Sequence, residues 1–424
     1  MMFRTLLLAT TTVLALASAA EAACTLTIGS VVSLSGPAGA YGQAAAKSIE
    51  LAFQDVNASG GVPVGGEICT LAVDVRDAQS QGAVAVDAAR QLVDLKKVPV
   101  IIGGIISSVS IPILTSVTAP SGIVQVSPAS SSPTLTELAR SGESKGLFFR
   151  TITSDALQGV AAAKYAVDSG LKTIAVIHAN NDFGKNMVRE FRGAYEKLGG
   201  TITEVVAYTE SAPSYAAEVT QALSGGPDAL YLVSYPGDGA TIARTWIAQG
   251  GPQKFLLNDG LNSAEFILNV GAAYLNDAHG TSSGTTPTAS TEYFAKAYPA
   301  FTGGQFDAGA PAADRAYDAA AIVALAIAAA GSTDAAALTK AIRDVTGSEG
   351  QVVHAGPDGL RAGLEALAAG QKIRYEGVIG PIAFDQHGDI TGPFRLWRIK
   401  DGLVVTEGEM SDAEVAALKK QIAG

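Results

Sequence analysis

From residue 25 onward, short runs rich in Val, Ile and Leu alternate with longer stretches whose apolar residues recur at helical spacing. The runs at 25–33, 70–76, 99–103, 123–127, 173–178, 202–207, 229–233 and 254–258 have the nearly continuous hydrophobic character of strands buried on both faces. The stretches at 41–58, 80–96, 107–119, 155–169, 184–198, 214–224, 237–249 and 262–270 repeat apolar positions every three or four residues and predict helices. Strict alternation of the two implies parallel sheets covered by helices on both sides, an α/β fold. The pattern runs once as far as residue 150 and again over 155–275, so two doubly wound parallel-sheet units are expected. A helical region at 291–345 and a hairpin-like segment, IGPIAFDQHGDITGPFRLWRIKDG, follow. A chain that returns to the first unit after building the second accounts for them, with the Gly and Ser cluster at 280–290 as one of several crossover loops.

The first 23 residues, MMFRTLLLATTTVLALASAAEAA, set Arg4 ahead of an apolar run from Leu6 to Ala17 and small residues at Ala20 and Ala22. This is the layout of a cleavable export signal. The run is shorter than the ~20 residues of a membrane-spanning helix, as is the alanine-rich stretch Ala319–Ala330. Residues 1–23 are therefore expected to be a signal peptide, and the rest of the chain a soluble periplasmic protein. A net charge of −11, spread along the chain, disfavours nucleic acid as a partner. With 424 residues, 48% of them hydrophobic, the chain exceeds the size at which one core keeps growing, which again favours two domains.

Each of the two cysteines opens a predicted strand, Cys24 in CTLTIGSVV and Cys69 in CTLAVDV. If those strands are in-register neighbours, their backbones lie about 4.8 Å apart, within reach of a disulfide. A Cys24–Cys69 bridge is the expectation in an oxidising compartment. Lipid modification of Cys24 is the alternative, although Glu21, Ala22 and Ala23 lack the aliphatic residue of a lipobox.

Open parallel sheets bind ligands beyond the carboxyl ends of their strands. The first such turn, SLSGPAGAYGQ, spaces its glycines as GxxGxxG, and the acid a dinucleotide site needs about 20 residues on would be Asp55, inside a helix; no cofactor is expected. After VPVIIGG, Ser107 or Ser108 sits where it can cap a helix, and a helix start with a hydroxyl is also a carboxylate site. The next strand ends in QVSPASSSPTLT, a proline-bounded turn that exposes the backbone of Ala129 and Ser131. In the second unit the strand ends deliver Phe183 (ANNDFG), Tyr235 (YPGD) and Asp259, the last either an acid facing a cleft or a solvated turn aspartate.

Taken together, IGSVVSLSGPAGAYG, DVNASGG, GGIISS, SPASSSPTLT, FFRTITSD, HANNDFG and YEGVIGPIAFDQHGD resemble the type I periplasmic binding proteins of branched-chain and related amino-acid transporters, across the whole chain after residue 23. The resemblance implies two lobes joined by three hinge crossovers and closing around a ligand. It puts the N-terminal lobe at 24–152 and 285–374 and the C-terminal lobe at 153–284 and 375–424. It further implies that Ser107 binds a ligand carboxylate, that Ala129 and Ser131 grip carboxylate and ammonium, and that Asp259 holds the ammonium. Tyr41, Phe183 and Tyr235 would form an aromatic wall and Tyr317 the pocket floor. Two departures stand out: Phe183 lacks the hydroxyl of the usual tyrosine, and Asp259 is shorter than the usual glutamate, which shifts the ammonium or interposes water.

Four histidines, His178, His279, His354 and His387, fall at no metal-ligand spacing, and no GxSxG turn occurs, so neither an enzyme nor a metal site is expected. The resulting expectation is a monomeric binding protein that hands a neutral amino acid of the leucine, isoleucine or valine type to the permease and ATPase of an ABC transporter. A sensor of the same fold, or a binder of amides, urea or aromatic and short carboxylic acids, is the alternative.

Overall fold

The Val- and Ile-rich runs form the strands of two sheets in a computed structural model that describes residues 24–423; the expected signal peptide lies outside the described residues. The first sheet contains β1 (Cys24–Val32), β2 (Val62–Val64), β3 (Glu67–Asp77), β4 (Val100–Gly103), β5 (Val124–Ser127) and β6 (Phe148–Arg150) in the order β2-β3-β1-β4-β5-β6. It is parallel apart from the β2–β3 hairpin. The second sheet begins with β7 (Thr173–Ala179), β8 (Thr201–Tyr208), β9 (Ala229–Val233), β10 (Phe255–Leu257) and β11 (His279–Ser283).

The chain then returns to the first lobe. Helices Ala289–Phe301, Ala313–Ala330 and Pro357–Ala368 pack on the helix Gly39–Ala58, and a small sheet forms from β12 (Gln351–His354), β13 (Ile373–Gly377) and β14 (Gly380–Pro381). Finally β15 (Phe394–Lys400) and β16 (Leu403–Met410) join the second sheet as an antiparallel hairpin, giving the order β16-β15-β11-β10-β9-β7-β8. The structure therefore has two doubly wound lobes, with the chain passing between them at 151–154, 284–288 and 382–393. The border expected at 374 falls inside β13, because this short strand pairs with β12 and β14 before the chain departs; the third passage comes later than the sequence suggested.

β1 and β3 run parallel with Cys24 opposite Cys69, and the disulfide joins them at a Cα–Cα distance of 4.5 Å. The glycine-rich turn after β1 is used for packing. A Cβ at Gly42 would come within 1.9 Å of the Ser33 carbonyl, so only glycine lets the helix Gly39–Ala58 approach the strand end this closely. Asp55, buried on the same helix, accepts from Tyr317 (2.5 Å) and Tyr293 (2.8 Å) and so ties the helix to two of the three later helices that pack on it.

Arg150, at the end of β6 and fully buried, fixes the turn that follows β5. Its Nε donates to Asp389 at 2.7 Å, Nη1 donates to the carbonyls of Ser130 and Ser132 at 3.2 and 2.9 Å, and Nη2 donates to Thr136 at 2.9 Å. Removing one partner of such a pair strands the other in a medium that solvates it poorly. Arg150→Ala is therefore expected to lower unfolding free energy by about 3–5 kcal/mol in a urea titration; a loss below about 1 kcal/mol, the level of an exposed pair, contradicts this role.

Candidate functional site

Because both sheets end their parallel strands toward each other, the turns that follow those strands enclose a cavity of about 250 Å³ between the lobes. Seven residues expected at a site line it: Tyr41, Ser107, Ala129 and Ser131 from the first lobe, and Phe183, Tyr235 and Asp259 from the second.

Ser107 opens the helix Ser107–Ile113, whose cap is Ile106, and makes no capping bond of its own. Its hydroxyl instead accepts from the Ser132 amide at 3.1 Å, which couples the helix start to the SPASSS turn. The capping role expected for it is thus replaced by a bond between two cavity loops. The turn itself is cross-braced: Ser127 donates to the Gly104 carbonyl at 2.7 Å, Ser110 and Ser130 share a 2.7 Å bond, and Arg150 holds the carbonyls from below. Its polar groups are therefore held in place before any ligand arrives.

Ser131 donates to the fully buried carboxylate of Asp155 at 3.0 Å, and the other carboxylate oxygen, Oδ1, has no partner among the described residues. Burial drives the Asp155 carboxyl well above its ordinary range, and the nearby charge of Asp259 adds to the effect, against the bond from Ser131. Asp259 is likewise pushed up by burial, partly offset by Asn258 Nδ2, which donates to it at 3.3 Å, and by the charge of Arg315. Asp259 lines the cavity with Asp155 buried behind Ser131, so the desolvated wall between them favours a positive charge.

Across the cleft the Tyr41 hydroxyl donates to the Asp259 carbonyl at 3.1 Å. Thr134 donates to Asp182 at 3.1 Å and Asn186 to Ser132 at 3.1 Å, so the two lobes touch through polar contacts around the cavity rim. The rings of Phe183 and Tyr235 lie 5.8 Å apart and form one apolar wall, with the Tyr235 hydroxyl accepting from Asn181 at 3.1 Å.

Tyr317 is not part of this cavity. It is fully buried inside the first lobe, where its hydroxyl donates to Asp55 and accepts from the Gly356 amide at 2.9 Å. The side chain of the same helix that does reach the cavity is Arg315, which the sequence reading missed, as it missed Arg395 on β15 and, behind the lining at Ser131, the buried Asp155. Asp155 closes the FFRTITSD motif, and its place right after a strand and crossover was the available signal; the two arginines carried none. Among the described residues, no group of three or more His, Cys, Asp or Glu side chains is arranged to hold a metal.

The arrangement offers hydroxyls and helix-start amides from the first lobe, the Asp259 carboxylate from the second and aromatic rings beside them, in a cleft between the lobes. Comparison with known proteins agrees with this architecture. Leu/Ile/Val-binding protein homolog 3 of Brucella melitensis biotype 1 is 28% identical over 397 residues, covering 91% of this chain and 95% of the relative. The branched-chain amino acid transporter substrate-binding protein LivJ of Streptococcus pneumoniae, solved in complex with isoleucine, shares the fold with a TM-score of 0.73 at 21% identity, over 91% of this chain and 99% of that one. A solute-binding protein of an ABC transporter from R. palustris, solved with 4-hydroxybenzoate, shares it with a TM-score of 0.72 at 19% identity, over 94% and 100%. The family model described as periplasmic binding protein matches residues 25–403. The chain belongs to the periplasmic binding protein family, whose members are extracytoplasmic solute-binding proteins and not enzymes.

Proposed function

We propose that the protein captures a small α-amino acid of the leucine, isoleucine or valine type between its lobes and delivers it to the permease and ATPase of an ABC importer, acting as a periplasmic monomer once residues 1–23 have been removed. The observation that carries this reading is the meeting in one cavity of Ser107, Ala129 and Ser131 from one lobe with Asp259 from the other. A zwitterion taken from water needs both charges paired, since leaving either one bare costs several kcal/mol. Helix-start amides and Ser107 serve the carboxylate, and Asp259 the ammonium. Because the two lobes supply different halves, the ligand gains full contact only when they meet, and that difference in affinity drives closure.

An aliphatic side chain suits the Phe183–Tyr235 wall, and the name of the Brucella relative supports the same class. A plain carboxylic acid, as bound by the R. palustris neighbour, is the competing class. It would leave the buried Asp259 carboxylate without a ligand ammonium and add a second negative charge beside it, which disfavours it.

A thermal-shift panel of amino acids, urea, simple amides and aromatic acids, followed by calorimetry, separates the two: amino acids, the aliphatic ones among them, should raise the melting temperature while ligands without an ammonium do not, and stabilisation by benzoate-like acids alone would contradict the reading. Asp259→Ala is expected to weaken amino-acid binding by about 2–5 kcal/mol, and no loss would place its carboxylate outside the contact. The pH dependence has a definite sign. Only ionised Asp259 pairs an ammonium, and burial raises its pKa in the free protein. Affinity measured by calorimetry should therefore fall as pH drops toward that raised value, earlier than for an ordinary carboxylate, and a flat profile across the acid range would argue against the pairing.

A further inference from the structure

The cavity holds more positive charge than an aliphatic amino acid uses. Arg315 and Arg395 both line it where the second and third interlobe passages meet the sheets. Arg315 is buried, with 8% of its surface exposed. Its Nη1 donates to Asp314 at 2.7 Å and its Nη2 to the carbonyls of Ser283 and Gly284 at 3.1 and 3.3 Å, while its Nε has no partner among the described residues. Arg395 is less well served. Its buried Nε has no partner, and its guanidinium forms no ion pair among the described residues, although Glu409 stands opposite it on β16.

Two guanidinium groups on one wall of a desolvated cavity repel each other, and one nearby acid, Asp314, is already committed to Arg315. Burial and the charge of Arg315 together push the Arg395 guanidinium below its usual range. A planar anion between the two would relieve both the repulsion and the missing hydrogen bonds, and a carboxylate matches the guanidinium fork in geometry. The neighbouring lining, Phe294, Ala310 and Pro311, provides an apolar passage toward this wall, where the lining acid Asp314 is held by Arg315.

We infer that Arg315 and Arg395 form a second anion subsite in the cleft, which admits amino acids whose side chain ends in a carboxylate. This rests on the proposed placement of the α-carboxylate at Ser107 and Ser131 and of the ammonium at Asp259, and adds a dicarboxylic ligand class to the aliphatic one. Arg395 is the discriminating group, because Arg315 is also engaged with the backbone of the second passage.

The test is calorimetric titration of the purified protein with glutamate, glutamine and glutarate, repeated on Arg395→Gln. Glutamate is expected to bind about tenfold or more tightly than its neutral isostere glutamine, and that ratio to fall to about one in the variant. Glutamine binding as well as or better than glutamate in the unsubstituted protein overturns the inference, and this arm requires no variant to fold. A ratio left intact in a folded Arg395→Gln protein overturns it as well. Glutarate matching glutamate supports the arginine wall while removing the role given to Asp259, so the two readings fail separately.

Discussion

A guanidinium sealed from water is costly to leave unpaired, and around that of Arg150 the architecture of the cleft is organised. Asp389, which neutralises it, comes from the third interlobe passage, while Arg150 itself leads into the first. Its remaining donors seize the carbonyls of Ser130 and Ser132. One buried charge thus sets the conformation of the turn that faces the ligand and joins two of the three strands of chain about which the lobes move. Arg315 repeats the device at the second passage: it donates to Ser283 and Gly284, and its own carbonyl accepts from Thr151 in the first. The hinge is therefore knitted by charged groups whose loss of hydration is compensated only in the assembled fold.

The same requirement governs the cavity. Asp155 and Asp259 are carboxylates held where water solvates them poorly, and both are displaced upward in pKa by burial. On the proposed reading, a carboxylate such as Asp259 is costly in an empty cleft and favourable once the ligand's ammonium arrives, which couples capture to lobe closure. The serine network and Arg150 hold the first-lobe side of the cavity rigid, and polar contacts through Tyr41, Thr134 and Asn186 tie it to the other lobe; in the proposed function the ligand meets this prepared surface.

Much of this was legible in the chain. Strands buried on both faces announce themselves as Val and Ile runs, and the rule that ligands lie beyond strand carboxyl ends singled out Ser107, Ala129, Ser131 and Asp259, all of which line one cavity. The short or polar strands β6, β11 and β14 lacked such a signal, since two or three residues, or the sequence HGTSS, display no period. The misplaced side chain is instructive. Arg315 and Tyr317 are two residues apart on one helix and so point about 200° apart; choosing between them required knowing which face the returning helix turns to the cleft, and that depends on crossovers that no local pattern encodes. Arg395 was hidden for the same reason, because β15 joins the second sheet only after the third passage.

The central claim is that the cleft pairs both charges of a zwitterion at once, and calorimetric titration with leucine, N-acetyl-leucine and leucine methyl ester tests it most directly. Each derivative removes one charge and keeps the side chain. The account predicts that each loses about 100-fold or more in affinity relative to leucine, the scale of a charge-assisted contact stranded in a buried site. Either derivative binding as tightly as leucine would contradict it.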